Sequence, residues 1–241
     1  MAGLMSQRMA MKPRSSDVVA GICRNISRRA LNVGLLGLAA GGAIPARAET
    51  TVLNDLLRYR VSHSIYGDIG TYANEVARQG DTVIVRTTVR LLVSLLGIAL
   101  YRENADRTEH WSGDRLVTFH GVTTENGKTT NVFGEARADG FIITSPQGIV
   151  VAPANVRPSN PWSAGFLNSD TMMLSDVGSV QHVVIGPPTI TVLTINRSSV
   201  RTKEYRIVAS PAYKVWLNER NVPVMFAVYD DSGLVTFTLL G

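Results

Sequence analysis

The sequence predicts a mostly β protein: one large curved antiparallel sheet or half-barrel, with one short helix near Trp162. Three observations lead there. A long stretch alternates apolar and polar side chains with a period of two. Turn residues recur at short, regular intervals. A convincing helix start occurs once.

The alternating stretch is Thr82–Leu96, "TVIVRTTVRLLVSLL". Its odd positions run Val83, Val85, Thr87, Val89, Leu91, Val93, Leu95, and its even positions include Arg86, Thr88, Arg90 and Ser94. Such a period puts one apolar stripe on a core and a mixed stripe on the other face. Fully extended, the stretch would span roughly 50 Å, so it is expected to bend or bulge. On either side lie further pairs of strands joined by turns. "LLRYRVSHSI" and "IGTYANEVAR" flank Tyr66-Gly67-Asp68, and "GIALYRENADRTEHW" and "RLVTFHGVTT" flank Ser112-Gly113-Asp114. Asn126-Gly127 is a strong two-residue hairpin signal before "KTTNVFGEAR", and Asp139-Gly140 is another before "FIITSP". Asp231-Ser232-Gly233 joins "VMFAVYD" to "LVTFTLL". The helix start is "RPSNPWSAGFL", with Asn160 as N-cap, Pro161 at the first helical position and Trp162 on the first turn. The prolines of "IGPPTI" mark a linker or edge. Tyr101-Arg102…Trp111 and Tyr205-Arg206…Trp216 echo each other, which raises a duplicated hairpin unit as one reading against coincidence.

The basic character of the chain belongs to its first residues. Of 24 Lys and Arg, residues 1–48 hold seven, with one of the 19 acids, which leaves 17 basic and 18 acidic residues over 49–241. A nearly neutral body excludes a nucleic-acid partner, since such binding needs a surplus of Lys and Arg to displace counterions. Residues 1–48 read as an export signal: Arg28-Arg29, an uncharged stretch from Ala30 to Ala46, then Ala46-Arg47-Ala48 as an A-x-A cleavage site. Ser27-Arg28-Arg29 resembles a twin-arginine signal, while Asn32 and Val33 depart from that pattern, so the general and twin-arginine routes both stay open. The apolar stretch is short for a membrane anchor. The expectation is a single domain over 49–241, located in the periplasm or secreted, with no transmembrane span once the signal is removed. Cys23 is the sole cysteine and lies in the signal, which excludes disulfides, thiolate metal sites and a Cys nucleophile from that domain.

No metalloprotease, nucleophile-elbow, Walker or dinucleotide-binding motif is present, and no cofactor or metal is expected. His63, His110, His120 and His182 are scattered over different strands with no ligand spacing. Glu109-His110 is the sharpest acid–base candidate, yet neighbours on a strand point to opposite faces. Glu109 should share its face with Arg107 and Trp111, and an Arg107–Glu109 ion pair is the plain structural explanation. A two-residue loop would set His110 opposite Val117, and a three-residue loop opposite Leu116; neither brings in His120. Gly113 and Asp114 are assigned to the turn, with Asp114 bonding nearby backbone. Tyr66, Tyr101, Trp111, Trp162 and Trp216 are the candidate lining of an apolar ligand cavity inside the curved sheet, beside Met172, Met173 and Met225. Trp residues are also ordinary core.

Ile69-Gly70, Tyr101-Arg102, Glu109, Trp111, Arg115-Leu116, Thr124, Asn126-Gly127 and Asn160-Pro161-Trp162 together resemble an exported bacterial family of unknown function, numbered 6134, and the related periplasmic unknown-function family numbered 3108. Neither family has an assigned activity to carry over. The wider likeness is to envelope proteins similar to lipoprotein carriers, where a half-open barrel holds acyl chains. The function expected is non-enzymatic binding of an apolar or envelope-derived ligand, with a small molecule, lipid or envelope protein as candidate partner. The alternatives are an exported hydrolase using Glu109 with a histidine from another strand, and a protein-interaction module with a filled core.

Overall fold

The computed structural model describes residues 53–230 and 233–240. The export signal expected over 1–48, with Arg28, Arg29, Ala46 and Ala48, lies outside the described residues, as does Cys23. Among the described residues no helix is long and apolar enough to cross a membrane.

The first half is a run of long hairpins. Strands β1 (Leu53–His63), β2 (Gly67–Gln79), β3 (Thr82–Leu95), β4 (Ile98–Ser112), β5 (Arg115–Glu125), β6 (Lys128–Ala136), β7 (Gly140–Ser145) and β8 (Gly148–Pro153) each pair antiparallel with the next. The alternation that predicts β3 is real: Val85, Thr87, Val89, Leu91 and Val93 are buried, and Arg86, Thr88 and Arg90 are exposed. The bend expected of so long a strand is a register shift between Val93 and Ser94. Asn126 and Gly127 take positive φ of 47° and 85°, as a tight hairpin turn needs.

The chain then crosses the sheet. Short strands β9 (Arg157–Pro158), β10 (Thr171–Met173) and β11 (Val180–His182) form a separate three-stranded sheet. This segment packs on the inner face of the large sheet: Phe166, Met172 and Val183 join Tyr59, Val89 and Phe226 in one core, while Val156 and Met173 join Val85, Trp111 and Phe119 in another. The helix expected to start at Asn160 is instead one 3-10 turn, Ala164–Leu167, capped by the Ser163 hydroxyl, which accepts from Gly165 N at 3.2 Å. Asn160 is not its cap, because its amide is taken up in the core.

Strands β12 (Val184–Ile185), β13 (Thr189–Ile195), β14 (Ser198–Val208), β15 (Ala212–Asn218), β16 (Pro223–Asp230) and β17 (Gly233–Leu239) complete the large sheet. Pro187 and Pro188 separate β12 from β13, as a linker should. The last strand returns to the first: β17 pairs with β1 from Tyr59↔Leu239 to His63↔Val235. The fourteen-stranded sheet is antiparallel and is not closed into a barrel, running from β12 and β13 at one end to β8 at the other. The structure favours coincidence over a duplicated hairpin unit. Tyr101 and Trp111 stand on the single strand β4, whereas Tyr205 and Trp216 stand on two strands, β14 and β15.

Candidate functional site

Alternation along β4 turns Glu103, Ala105, Arg107, Glu109 and Trp111 inward and His110 outward. Three ionisable side chains on an inward stripe are costly unless partnered, and each has a different solution. Glu109 is fully buried. Its Oε2 accepts the indole N–H of Trp111 at 2.9 Å and of Trp162 at 3.0 Å, and its Oε1 accepts from Asn160 Nδ2 at 2.6 Å. The ion pair expected between Arg107 and Glu109 is not the contact made. Arg107 Nη2 instead lies 3.6 Å from Glu103 Oε1, and its Nε has no hydrogen-bond partner. Burial pushes the Glu109 carboxyl up to about 7, against the opposing pull of its Asn160, Trp111 and Trp162 donors and of the Arg107 charge.

Asn160 ties this cluster to the strands beside it. Its Nδ2 also donates to Thr87 Oγ1 at 2.9 Å, Thr87 donates to Asn74 Oδ1 at 2.7 Å, and the Tyr72 hydroxyl donates to Asn160 Oδ1. Asp114 does more than shape its turn: its carboxylate lies 2.6 Å from Arg157 Nη2, and that guanidinium sits 4.8 Å from the Trp111 ring centroid. The turn itself is the expected Gly113-Asp114 pair, but His110 faces Thr118 and not Val117. Val117 is an extra residue in β5, and this bulge lets both Leu116 and Phe119 point inward.

Beside the Glu109 network lies a cavity of about 640 Å³. Tyr72, Val89, Phe226 and Phe237 supply apolar walls, and Ser159, Pro161 and Phe166 of the crossing segment form one side. Arg107 and Tyr72 belong both to this wall and to the network's surroundings, so the polar cluster closes the cavity's inner end. Towards the hairpin tips the lining becomes mixed: Tyr101, Glu103, Glu125, Asp176 and Tyr213. The Tyr101 hydroxyl donates to Glu103 Oε2 at 2.9 Å, and burial together with that carboxylate holds the phenol protonated well above its ordinary range. Burial, then Asp176, raise Tyr213 to about 12, with Arg107 pulling the other way.

The structure therefore separates the residues grouped by sequence. Tyr66 and Tyr101 line the cavity. Trp111 and Trp162 do not; they border a cleft of about 30 Å³ with Asp114, Arg157 and Gly165. Trp216 lies on the other face of β15, packed with Ile195, Val224 and Ala227 while its N–H reaches Glu204 Oε2 at 3.2 Å. Met172 and Met173 divide between the two inner cores, and Met225 sits with Trp216. His110 and His120 face an outer groove, where His120 stacks on Phe133 with ring centroids 4.5 Å apart. The hydrogen-bond partners of Glu109 include no histidine, and the two indoles seal it. The residues that sequence reasoning missed are Arg107, Tyr213, Phe226, Phe237 and Asn160. For Arg107 a signal existed, the three charged residues Glu103, Arg107 and Glu109 on one alternating stripe of β4.

No curated protein matches the chain. Among solved structures, the crystal structure of a beta-barrel-like protein of domain of unknown function DUF1849 from Brucella abortus is similar, with a TM-score of 0.54 and 10% identity, over 78% of this chain and 95% of that one. That likeness is one of fold. The model of DUF6134, a domain of unknown function, matches residues 66–239, and the chain belongs to that family.

Proposed function

We propose that the protein is an exported binding protein of the bacterial envelope, which holds an apolar ligand with a polar end in the concave cavity. The observation that carries this reading is the cavity of about 640 Å³ with aromatic and aliphatic walls, lined also by Arg107, a nine-tenths buried arginine. Ligand cavities have this size and this composition, mostly apolar with a few placed polar groups. A ligand carboxylate or other acceptor would suit the guanidinium of a cavity-lining arginine. Glu103 and Tyr101 would set the orientation of the head, and Phe226 and Phe237 would hold the tail. Removal of residues 1–48 during export places the domain in the periplasm in this reading. A Glu109 hydrolase draws no support from the geometry, since the carboxyl is occupied by three N–H donors and faces no opening.

Native mass spectrometry of the chain purified from an exporting bacterial host tests the proposal. A co-purifying small molecule, lost on Val89→Trp substitution within the cavity, supports it. A bare mass, together with no uptake of a fluorescent fatty acid, sinks it.

A second reading rests on one end of the sheet. Ile149 and Val151 on β8 are each 72% exposed, and among the described residues β8 pairs on one side alone. Such an edge suits strand addition by a partner protein. Cross-linking from residue 149 in envelope extracts checks it, and a product that does not respond to Val150→Pro argues against pairing through this edge.

A further inference from the structure

The β3–β4 hairpin outruns β5 beside it. The β2–β3 ladder stops at Gly70↔Leu91, and the β4–β5 ladder stops at Glu103↔Glu125. Beyond those rungs the hairpin pairs with itself, from Leu92↔Arg102 to Leu95↔Ile98. On the β5 side the last contact is Asn126 N to Arg102 O at 2.9 Å, and four further residues of β4, roughly 13 Å, run on to the turn. No charge occurs from Leu91 to Tyr101, and Ser94 is the sole polar side chain besides the Tyr101 hydroxyl. Leu92, Leu95, Leu96, Ile98 and Leu100 are all exposed, Leu96 at 95%.

The turn itself is unusual for its type. Leu96 and Gly97 have φ of 52° and 82°. At the matching positions of other turns the chain places asparagine: Asn126 with φ 47° and Asn196 with φ 50°. Asparagine tolerates this conformation, and leucine is strained in it. A fully exposed leucine in a left-handed turn serves neither the turn nor a core, and such strain tends to persist where a site uses it. The same hairpin also forms part of the cavity rim, through Val93, Leu100 and Tyr101.

We infer that this finger docks the protein on a lipid surface, inserting Leu95, Leu96 and Ile98 among the acyl chains at the bilayer interface. The end of the finger is apolar and exposed on both faces, Leu95 and Ile98 on one and Leu92 and Ala99 on the other, which suits a medium that surrounds it. Among the described residues no strand pairs with its outer edges, and unpaired peptide groups are excluded from the hydrocarbon centre, so insertion is shallow, about 5–10 Å. The finger itself carries no charge, so apolar insertion holds the protein on zwitterionic lipid and added salt changes little. This inference goes beyond the cavity reading and stands without it. Docking would bring the cavity mouth to the source of an apolar ligand.

The test uses the full chain carrying Cys23→Ser and an environment-sensitive fluorophore at Ala99→Cys in the finger, or at Ser112→Cys at the opposite end of β4. Phosphatidylcholine vesicles carry a spin-label quencher at a shallow acyl position. The expected result is a blue shift and quenching at residue 99 and neither at residue 112; the two chains share every other segment, so the difference reports the finger. Adding Leu96→Asn and Ile98→Ser, which suit the turn and remove two apolar groups, should lower finger insertion on the order of a hundredfold without lowering the melting temperature. A label at residue 99 that stays in water, or that responds no more than the label at residue 112, overturns the inference whether or not the cavity holds a ligand.

Discussion

Trp111 and Trp162, far apart in sequence, donate their indole N–H groups to the same atom, Oε2 of Glu109, at 2.9 and 3.0 Å. The carboxyl thus pins the crossing segment to β4, and its rings meet edge to face with centroids 6.0 Å apart. Removing Glu109 would leave three N–H donors in the interior without an acceptor. Each orphaned group costs about 1–3 kcal/mol. Glu109→Ala should therefore lower unfolding free energy by about 4 kcal/mol, and Glu109→Gln by about half as much, because one amide oxygen can still serve both indoles. Urea titration followed by Trp fluorescence measures both. Equal effects of the two substitutions would count against the shared-acceptor role.

Glu109 also predicts a pH dependence. In the folded state its carboxyl holds a proton up to about 7, against an ordinary value of 4.5. Between these values the folded state binds more protons than the unfolded one, so stability falls as pH rises and levels off above about 7. The effect is on the order of 3 kcal/mol across that window. Denaturation curves from pH 4.5 to 8 should show this fall in the wild type and its absence in Glu109→Gln.

Arg157 and Asp114 form an ion pair whose partners are unequally placed. The arginine side chain is 6% exposed and the aspartate 68%. An exposed carboxylate can be replaced by water, so Asp114→Asn should cost under about 1 kcal/mol. Arg157→Ala removes the stacked plane from Trp111 as well and should cost about 2 kcal/mol or more. Thermal melts of the two variants should rank them in that order.

Gly70 permits the bulge where β1 passes β2. Its φ is +144°, and a Cβ there would stand 2.0 Å from the backbone oxygen of Arg90. Backbone cannot step aside as a side-chain tip can. Gly70→Ala should cost at least about 3 kcal/mol and reduce soluble yield, whereas Gly113→Ala, which meets no atom within 4 Å, should cost about 1 kcal/mol from its φ alone.

Much of the fold was legible because half-buried strands repeat every two residues. Val85, Val89 and Val93 announce β3 without help from any other part of the chain, and the same alternation separates Glu109 from His110. Asn126-Gly127 marks its hairpin because few other residues accept that backbone. The rest depends on distance in sequence. Nothing in "DRLVTF" distinguishes a straight strand from one in which Val117 bulges. Asn160-Pro161 fits a helix start as well as it fits a buried amide, and what decides is the arrival of Glu109, Thr87 and Tyr72 around it. Trp111, Trp162 and Trp216 look alike in sequence, and their assignments to a sealed cleft and to the opposite sheet face follow from which strand flanks each one. Arg107 became visible as a cavity residue once Glu103, Ala105 and Glu109 were known to share its side.

The seam between β1 and β17 has a consequence for how the molecule assembles. Most neighbours in the sheet are also neighbours in sequence, so each hairpin can close soon after its residues appear. The seam is the long-range exception, since Tyr59 meets Leu239 there and Leu240 N donates to Arg58 O at 2.7 Å. Aromatic groups from both sides, Tyr59 and Tyr72 with Phe226 and Phe237, interlock across it. On contact distance alone, the wall of the cavity is expected to close last. A nascent molecule lacking its final strand would expose that aromatic cluster to water, and would be the form most in need of a chaperone and most open to proteolysis.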